Sequence, residues 1–193
     1  MDFPACTEES RQKTISLRDC GSRNNDAKFI LSNPKRLLVK VIQIDDCVIT
    51  GSNKRCDRLI ILPSNKLIYI EFKGNKVDDA VEQIEATINY ISQICSSSRN
   101  FECTCLVVCR TCSKTPKTKI LNYKQKFKKL YNADLRIERG EVHRSVEDWN
   151  RVTSDRNPPW IDRFDHFFGD DLRRSHIFLK SCGDDKVNLG ELE

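Results

Sequence analysis

The stretch CDRLIILPSNKLIYIEFKG, residues 56 to 74, sets Asp57 ahead of one apolar run and Glu71 and Lys73 at the end of another. Both runs are rich in β-branched and aromatic residues, and Pro63, Ser64 and Asn65 separate them, so they read as a hairpin. A loop centred on Ser64 puts Asp57 directly opposite Glu71, with Cβ atoms about 4.5 to 5.5 Å apart. Lys73, two residues on, points to the same side. Two like charges buried that close are costly, because each raises the pKa of the other and the desolvation cost adds. A shared divalent cation removes the cost. Carboxylate oxygens suit Mg²⁺, which keeps several waters and leaves room for a phosphate oxygen and a nucleophilic water. A half-exposed ion pair of Lys73 with Asp57 or Glu71 near a sheet end also accounts for the charges, but not for their common parity.

The elements that must hold these residues can be read on either side. Residues 37–45, 56–62, 67–73, 103–109 and 134–138 read as strands. Val77, Val81, Ile84, Ile88, Ile91 and Cys95 recur at alternating steps of four and three, the apolar stripe of a helix of about five turns. A second helix, roughly 118–131, carries Ile120, Tyr123, Phe127 and Tyr131 at compatible spacing. The segment before residue 37 has no clear pattern. The order of strands and helices is that of an α/β fold around a mixed sheet.

The chain has 193 residues, enough for one core. Hydrophobic residues make up 38% and charged residues 32%, and no apolar run nears the roughly 20 residues that span a bilayer. The opening MDFPACTEESRQK lacks the basic flank and apolar stretch of a secretory signal. The ten cysteines therefore read as thiols of a reducing cytoplasm, with structural disulfides not expected.

"CD" entering a strand, a short turn, "IEFKG" and then a helix bearing Gln83 in "AVEQIEATINY" together resemble the PD-(D/E)XK nuclease superfamily. The resemblance covers residues 35–140. It implies a restriction-endonuclease-like mixed central β-sheet flanked by helices, with residues 1–140 as the core and 141–193 as a C-terminal acidic and aromatic extension. It implies that Asp57, Glu71 and the carbonyl of Phe72 bind Mg²⁺, with Mn²⁺ as a substitute. Lys73 then orients the water or stabilises charge on the phosphate, and Gln83 completes the set, with Ala80, Thr87 and Tyr90 on its face. Cys56 replaces the proline that precedes the aspartate in the family. Glu8 and Glu9 are candidates for an upstream acid by position alone.

The implied activity is hydrolysis of phosphodiester bonds, of DNA ahead of RNA. The setting expected for such an activity is a defence or mobile-element system, antiviral defence included, in which a protein partner would choose the target. The alternative is a catalytically inactive nucleic-acid-binding or adaptor module of the same fold.

Charge is distributed unevenly. Residues 1–140 carry 25 Lys/Arg and 16 Asp/Glu, whereas 141–193 carry 8 and 12. From Arg110 to Ala133 there is no acid, and Tyr123, Phe127 and Tyr131 are interleaved with the bases. Lys114, Lys117, Lys119, Lys124, Lys126, Lys128 and Lys129 are candidate phosphate contacts, since lysines along a helix release counterions from a nucleic-acid backbone. A solvated lysine-rich helix is the plainer reading.

Cys103, Cys105, Cys109 and Cys112 invite a zinc or iron–sulfur site, but along a straight strand Cys103 and Cys109 stand roughly 20 Å apart, too far to share one ion. They read as buried small hydrophobes. A Cys109–Cys112 pair completed by Cys95 or Cys182 is the smaller alternative. His143, His166 and His176 lie outside the motif and receive no catalytic role. After Gly140 the pattern weakens to a short helix (VHRSVEDWNRV), a breaker (NPPW) and an aromatic patch (WIDRFDHFF). Trp149, Trp160, Phe164, Phe167 and Phe168 read as packing residues ahead of base-stacking ones.

Overall fold

The computed structural model of the chain describes residues 3–18, 27–64, 66–94, 102–111 and 115–150. A 3₁₀ turn, Pro4–Cys6, leads into strands β1 (Thr7–Ser10), β2 (Thr14–Arg18), β3 (Lys28–Ser32), β4 (Val39–Gln43), β5 (Arg58–Ile61) and β6 (Leu67–Lys73). Helix α1 (Val77–Ile94), β7 (Cys103–Cys109), α2 (Lys117–Tyr131), β8 (Ala133–Arg139), β9 (Glu141–Ser145) and α3 (Val146–Asn150) follow. The result is an α/β fold with two mixed sheets.

The main sheet has the order β1-β4-β5-β6-β7-β8. Its first half is antiparallel, β1 to β4 to β5 to β6, and its second half is parallel, β6 to β7 to β8. The change follows from the connections. A tight turn joins the antiparallel neighbours β5 and β6, whereas the parallel pairs β6·β7 and β7·β8 need the long crossovers that α1 and α2 supply.

Strands β6 and β7 are buried on both faces, which explains their near-continuous apolar sequences. Leu67 and Tyr69 pack with Val77, Val81, Ile84 and Ile88 of α1 and Phe127 of α2. Ile68, Ile70 and Phe72 point the other way, onto Phe29, Leu31, Val142 and Trp149. That second layer is a three-stranded sheet, β2-β3-β9, joined by the short α3. The helices α1 and α2 cover one face, and the short α3, through Val146 and Trp149, lies with the small sheet on the other, an α/β arrangement of mixed sheets flanked by few helices. The alternating burial of β2, β3 and β9 lets them shelve the apolar face of the main sheet.

Gly140, at φ +75°, turns the chain out of β8 into β9, a conformation that glycine adopts without steric cost. β9 pairs in parallel with β3, from Lys28↔Glu141 to Ser32↔Ser145. The expected helix over VHRSVEDWNRV is thus a strand followed by the short α3. Trp149 is buried and stacked on Phe29 with centroids 6.0 Å apart, in keeping with a packing role. Trp160, Phe164, Phe167, Phe168, His166 and His176 lie outside the described residues.

The expectation of thiols throughout is also corrected. Cys6 and Cys47 form a disulfide across a sequence separation of 41 residues. Pairing of β1 with β4, Thr7↔Ile42, is what brings the Pro4–Cys6 turn beside the loop after β4. Cys109 is disulfide-bonded as well, whereas Cys56, Cys103 and Cys105 are buried free thiols. Burial pushes the Cys103 thiol up to about 12 and raises Cys105 too, so both stay protonated and behave as apolar filling. Cys95, Cys112 and Cys182 lie outside the described residues. Among those described, no helix is long and apolar enough to cross a membrane.

Candidate active site

The β5–β6 register runs from Arg58↔Ile70 to Ile61↔Leu67, centred on Ser64 as the hairpin reading requires, and the Leu62 N–H donates to the Lys66 carbonyl at 3.0 Å. One step outward the same register opposes Asp57 to Glu71. There the ladder is replaced by side chains. The Asp57 N–H donates to Glu71 Oε2 at 3.0 Å, and the Phe72 N–H donates to Asp57 Oδ2 at 2.7 Å. Each residue holds the other's strand end.

Glu71 is 1% exposed. Burial first, then the neighbouring charge of Asp57, push its carboxyl up to about 8, against the pull of Lys73 and the Asp57 N–H. Lys73 Nζ lies 2.8 Å from Glu71 Oε1, so the plain ion pair is present. Burial works against the charge of Lys73, but the hydrogen bond to Glu71 and the charges of Glu71, Asp57 and Asp79 outweigh it and hold the ammonium above its ordinary range.

The set fits a hard divalent cation. Two carboxylates meet on one face, each ionised carboxylate has lone pairs beyond those already bonded, and Glu71 is too buried to carry its charge without help. The N–H and C=O of a strand residue point to the same side, so the Phe72 carbonyl faces the Asp57 edge with its N–H. Among the described residues no three His, Cys, Asp or Glu side chains converge, so a cation held here would take the carboxylate pair and that carbonyl as its donors. This is the sparse set that Mg²⁺ accepts, because it retains waters and substrate oxygens in its remaining positions. Glu8 and Glu9 are not brought here. They sit on edge strand β1, where Glu8 opposes Val41, and Glu9 pairs with Lys40 at 3.3 Å.

Helix α1 positions the segment that enters β5. Gln83 Nε2 donates to the Arg55 carbonyl at 2.9 Å. One turn on, Thr87 Oγ1 accepts the Cys56 N–H at 2.8 Å and donates to the Gln83 carbonyl at 2.9 Å. Gln83 thus holds the backbone ahead of Asp57. Arg55 gathers the loop before it, through its guanidinium contacts to Asp45, Asp46, the Gly51 carbonyl and the Asn53 carbonyl. A cavity of about 440 Å³ opens there, lined by Asp45, Asn53, Lys54, Arg55, Asp79 and Gln83 among others. Sequence reasoning missed Arg55 and Asp45. Their partners are in an irregular loop that leaves no periodic trace.

The lysine helix divides into two groups. Lys119 pairs with Asp78 at 2.6 Å, and Lys126 pairs with Glu85 at 2.6 Å, while Tyr123 and Tyr131 donate to the same two carboxylates. Asp78 and Glu85 are seven residues apart on α1, as are Lys119 and Lys126 on α2, so the ion pairs repeat after two helical turns. These lysines fasten α2 to α1. Lys117, Lys124, Lys128 and Lys129 face solvent, Lys128 also donating to Asn132 Oδ1 at 3.0 Å. Lys114 lies outside the described residues.

Compared with protein-family models, with characterised proteins and with solved structures, the chain matches none.

Proposed function

We propose that this chain is a metal-dependent nuclease of the PD-(D/E)XK type, hydrolysing phosphodiester bonds, with DNA ahead of RNA as substrate. The observation that carries the reading is the opposed Asp57–Glu71 pair with Lys73 on the same face, closed by a glutamine-bearing helix. Mg²⁺ or Mn²⁺, held by Asp57, Glu71 and the Phe72 carbonyl, would lower the pKa of a water and neutralise charge on the scissile phosphate. Lys73, a quarter exposed beside the pair, is placed to donate to a phosphate oxygen or to orient the attacking water. Gln83 and Thr87 hold the Arg55–Cys56 backbone and so fix Asp57 relative to Glu71. The proposal extends to a defence or mobile-element setting in which a protein partner selects the target. Cytoplasmic localisation belongs to the same proposal, although the Cys6–Cys47 bond supports oxidation of at least part of the cysteine set.

One observation favours the non-catalytic reading. Both Glu71 oxygens already accept internal donors, Lys73 and the Asp57 N–H, so the cluster can also serve as a structural clasp in a binding or adaptor module. Incubation of the full chain with linear, circular and single-stranded DNA and with RNA, in Mg²⁺, Mn²⁺ and EDTA, separates the two. Cleavage that needs the divalent ion and disappears in Asp57→Asn supports the nuclease. Binding without cleavage under all conditions supports the adaptor.

A further inference from the structure

The ends of the parallel strands carry charge that the site above does not use. Lys73, Cys109 and Arg139 are in register across β6, β7 and β8, so they share one face at one end of the sheet. Adjacent strands lie about 4.8 Å apart, which puts the Lys73 and Arg139 backbones roughly 10 Å apart. Arg110 follows Cys109, and its N–H donates to the Lys73 carbonyl at 2.9 Å. Arg139 Nε donates to the Arg110 carbonyl at 3.0 Å, which brings the Arg139 guanidinium back over the end of β7.

The neighbouring arginines make the contrast. Arg136 is paired with Asp134, and Arg144 with Glu138. Arg110 and Arg139 are both exposed, and among the described residues neither meets a carboxylate. With Nε bound to a carbonyl and no carboxylate among the described residues on its Nη groups, Arg139 offers the fork that takes two oxygens of one phosphate. Ligands of open α/β sheets gather beyond the carboxyl ends of parallel strands, which is where these groups stand.

Resting on the nuclease reading, we infer that Arg110 and Arg139 extend the site into a phosphate-binding rim that seats the nucleic-acid backbone beside Lys73. The rim, and not the lysines tied to α1, sets the strand's path to the carboxylate pair. Arg139 grips one phosphate through its fork, and Arg110 neutralises the next.

The test is the salt dependence of binding, measured by fluorescence anisotropy on labelled duplex DNA with the full chain in EDTA, so that no cleavage intervenes. Each phosphate contact contributes about 0.9 to the slope of log K against log salt on duplex DNA. The double variant Arg110→Gln/Arg139→Gln should bind more weakly at low salt and lose between about 1 and 2 from that slope. Lys119→Gln/Lys126→Gln should leave the slope unchanged. Arg110→Lys/Arg139→Lys keeps both charges and should restore the slope, which separates lost contacts from misfolding. A wild-type slope in the glutamine pair, with wild-type binding intact, overturns the rim and leaves the nuclease reading standing. Absence of nucleic-acid binding by the wild type at every salt concentration overturns both.

Discussion

Asp57 and Glu71 hold each other through the backbone: the Asp57 N–H donates to Glu71 Oε2, and the Asp57 carboxylate accepts the N–H of Phe72, the residue that follows Glu71. The reciprocity ties each carboxylate to the backbone of the opposite strand, and Lys73 holds the other oxygen of Glu71. It also means that an amide at either position keeps an acceptor oxygen for its bond while losing the charge. Asp57→Asn and Glu71→Gln should therefore fold normally, yet each should lower cleavage by at least about 100-fold, in line with other losses of charge stabilisation at a reacting centre. Mn²⁺ affinity by calorimetry should fall in parallel. Retained cleavage in either variant would show that the pair is not the reactive site.

Lys73 is expected to behave differently. It donates to Glu71 and carries no lone pair when charged, so it cannot ligate a cation. Lys73→Ala should lose about 10²- to 10³-fold in kcat, as for removal of one positioned donor, while Mn²⁺ affinity stays the same or rises. A fall in metal affinity matching that of Asp57→Asn would contradict this role.

Glu71 makes the stability of the metal-free protein depend on pH. Its carboxyl titrates at about 8 in the fold against 4.5 as the ordinary value, so between those limits the folded chain keeps a proton that the unfolded chain has released. Stability contributed by this group is present at low pH and is lost as pH rises towards 8, by up to about 1.4 kcal/mol per pH unit. Urea denaturation in EDTA from pH 5 to pH 9 should show that decline in the wild type and a flatter profile in Glu71→Gln. Parallel profiles would mean that Glu71 titrates normally.

Much of this site was legible because a hairpin transmits register. Once Ser64 is the centre of the loop, the pairing of Asp57 with Glu71 and the parity of Lys73 follow from the two-residue period of strands, and β6 and β7 are bounded as their apolar runs suggest. The small sheet was not legible. Its strands are five residues long with sequences such as TISLR and EVHRS, too short and half-exposed for either period to declare itself. The ties of Lys119 and Lys126 were hidden for another reason. The seven-residue spacing they share with Asp78 and Glu85 acquires meaning only when β7 has carried α2 alongside α1.

The Cys6–Cys47 bond closes a loop with a sequence separation of 41 residues that contains β1, β2, β3 and β4. Chain-entropy reasoning gives about 4 kcal/mol of stabilisation for a loop of that size. Cys6→Ser/Cys47→Ser should lower the urea midpoint accordingly, and dithiothreitol should shift the wild type towards the double variant. A midpoint unmoved by either change would indicate that these two cysteines are reduced in the folded protein.

Thr87 offers a test of whether α1 positions the site as well as packing beneath it. Its side chain is fully buried, and its hydroxyl accepts the N–H of Cys56, the residue immediately before Asp57. Valine has nearly the same shape but no acceptor, so Thr87→Val strands that N–H in the core at a cost of about 1–3 kcal/mol. Thr87→Ser keeps the acceptor and removes a methyl group, which tests packing separately. If the hydroxyl fixes the approach of Asp57 to Glu71, Mn²⁺ affinity should fall about 10-fold in Thr87→Val, the scale seen for partners that orient metal ligands, and should change little in Thr87→Ser. Equal loss of stability in the two variants with unchanged metal affinity would confine Thr87 to packing. Loss of affinity in the valine variant alone would place the hydroxyl in the chain of contacts that runs from α1 through Cys56 to the carboxylate pair.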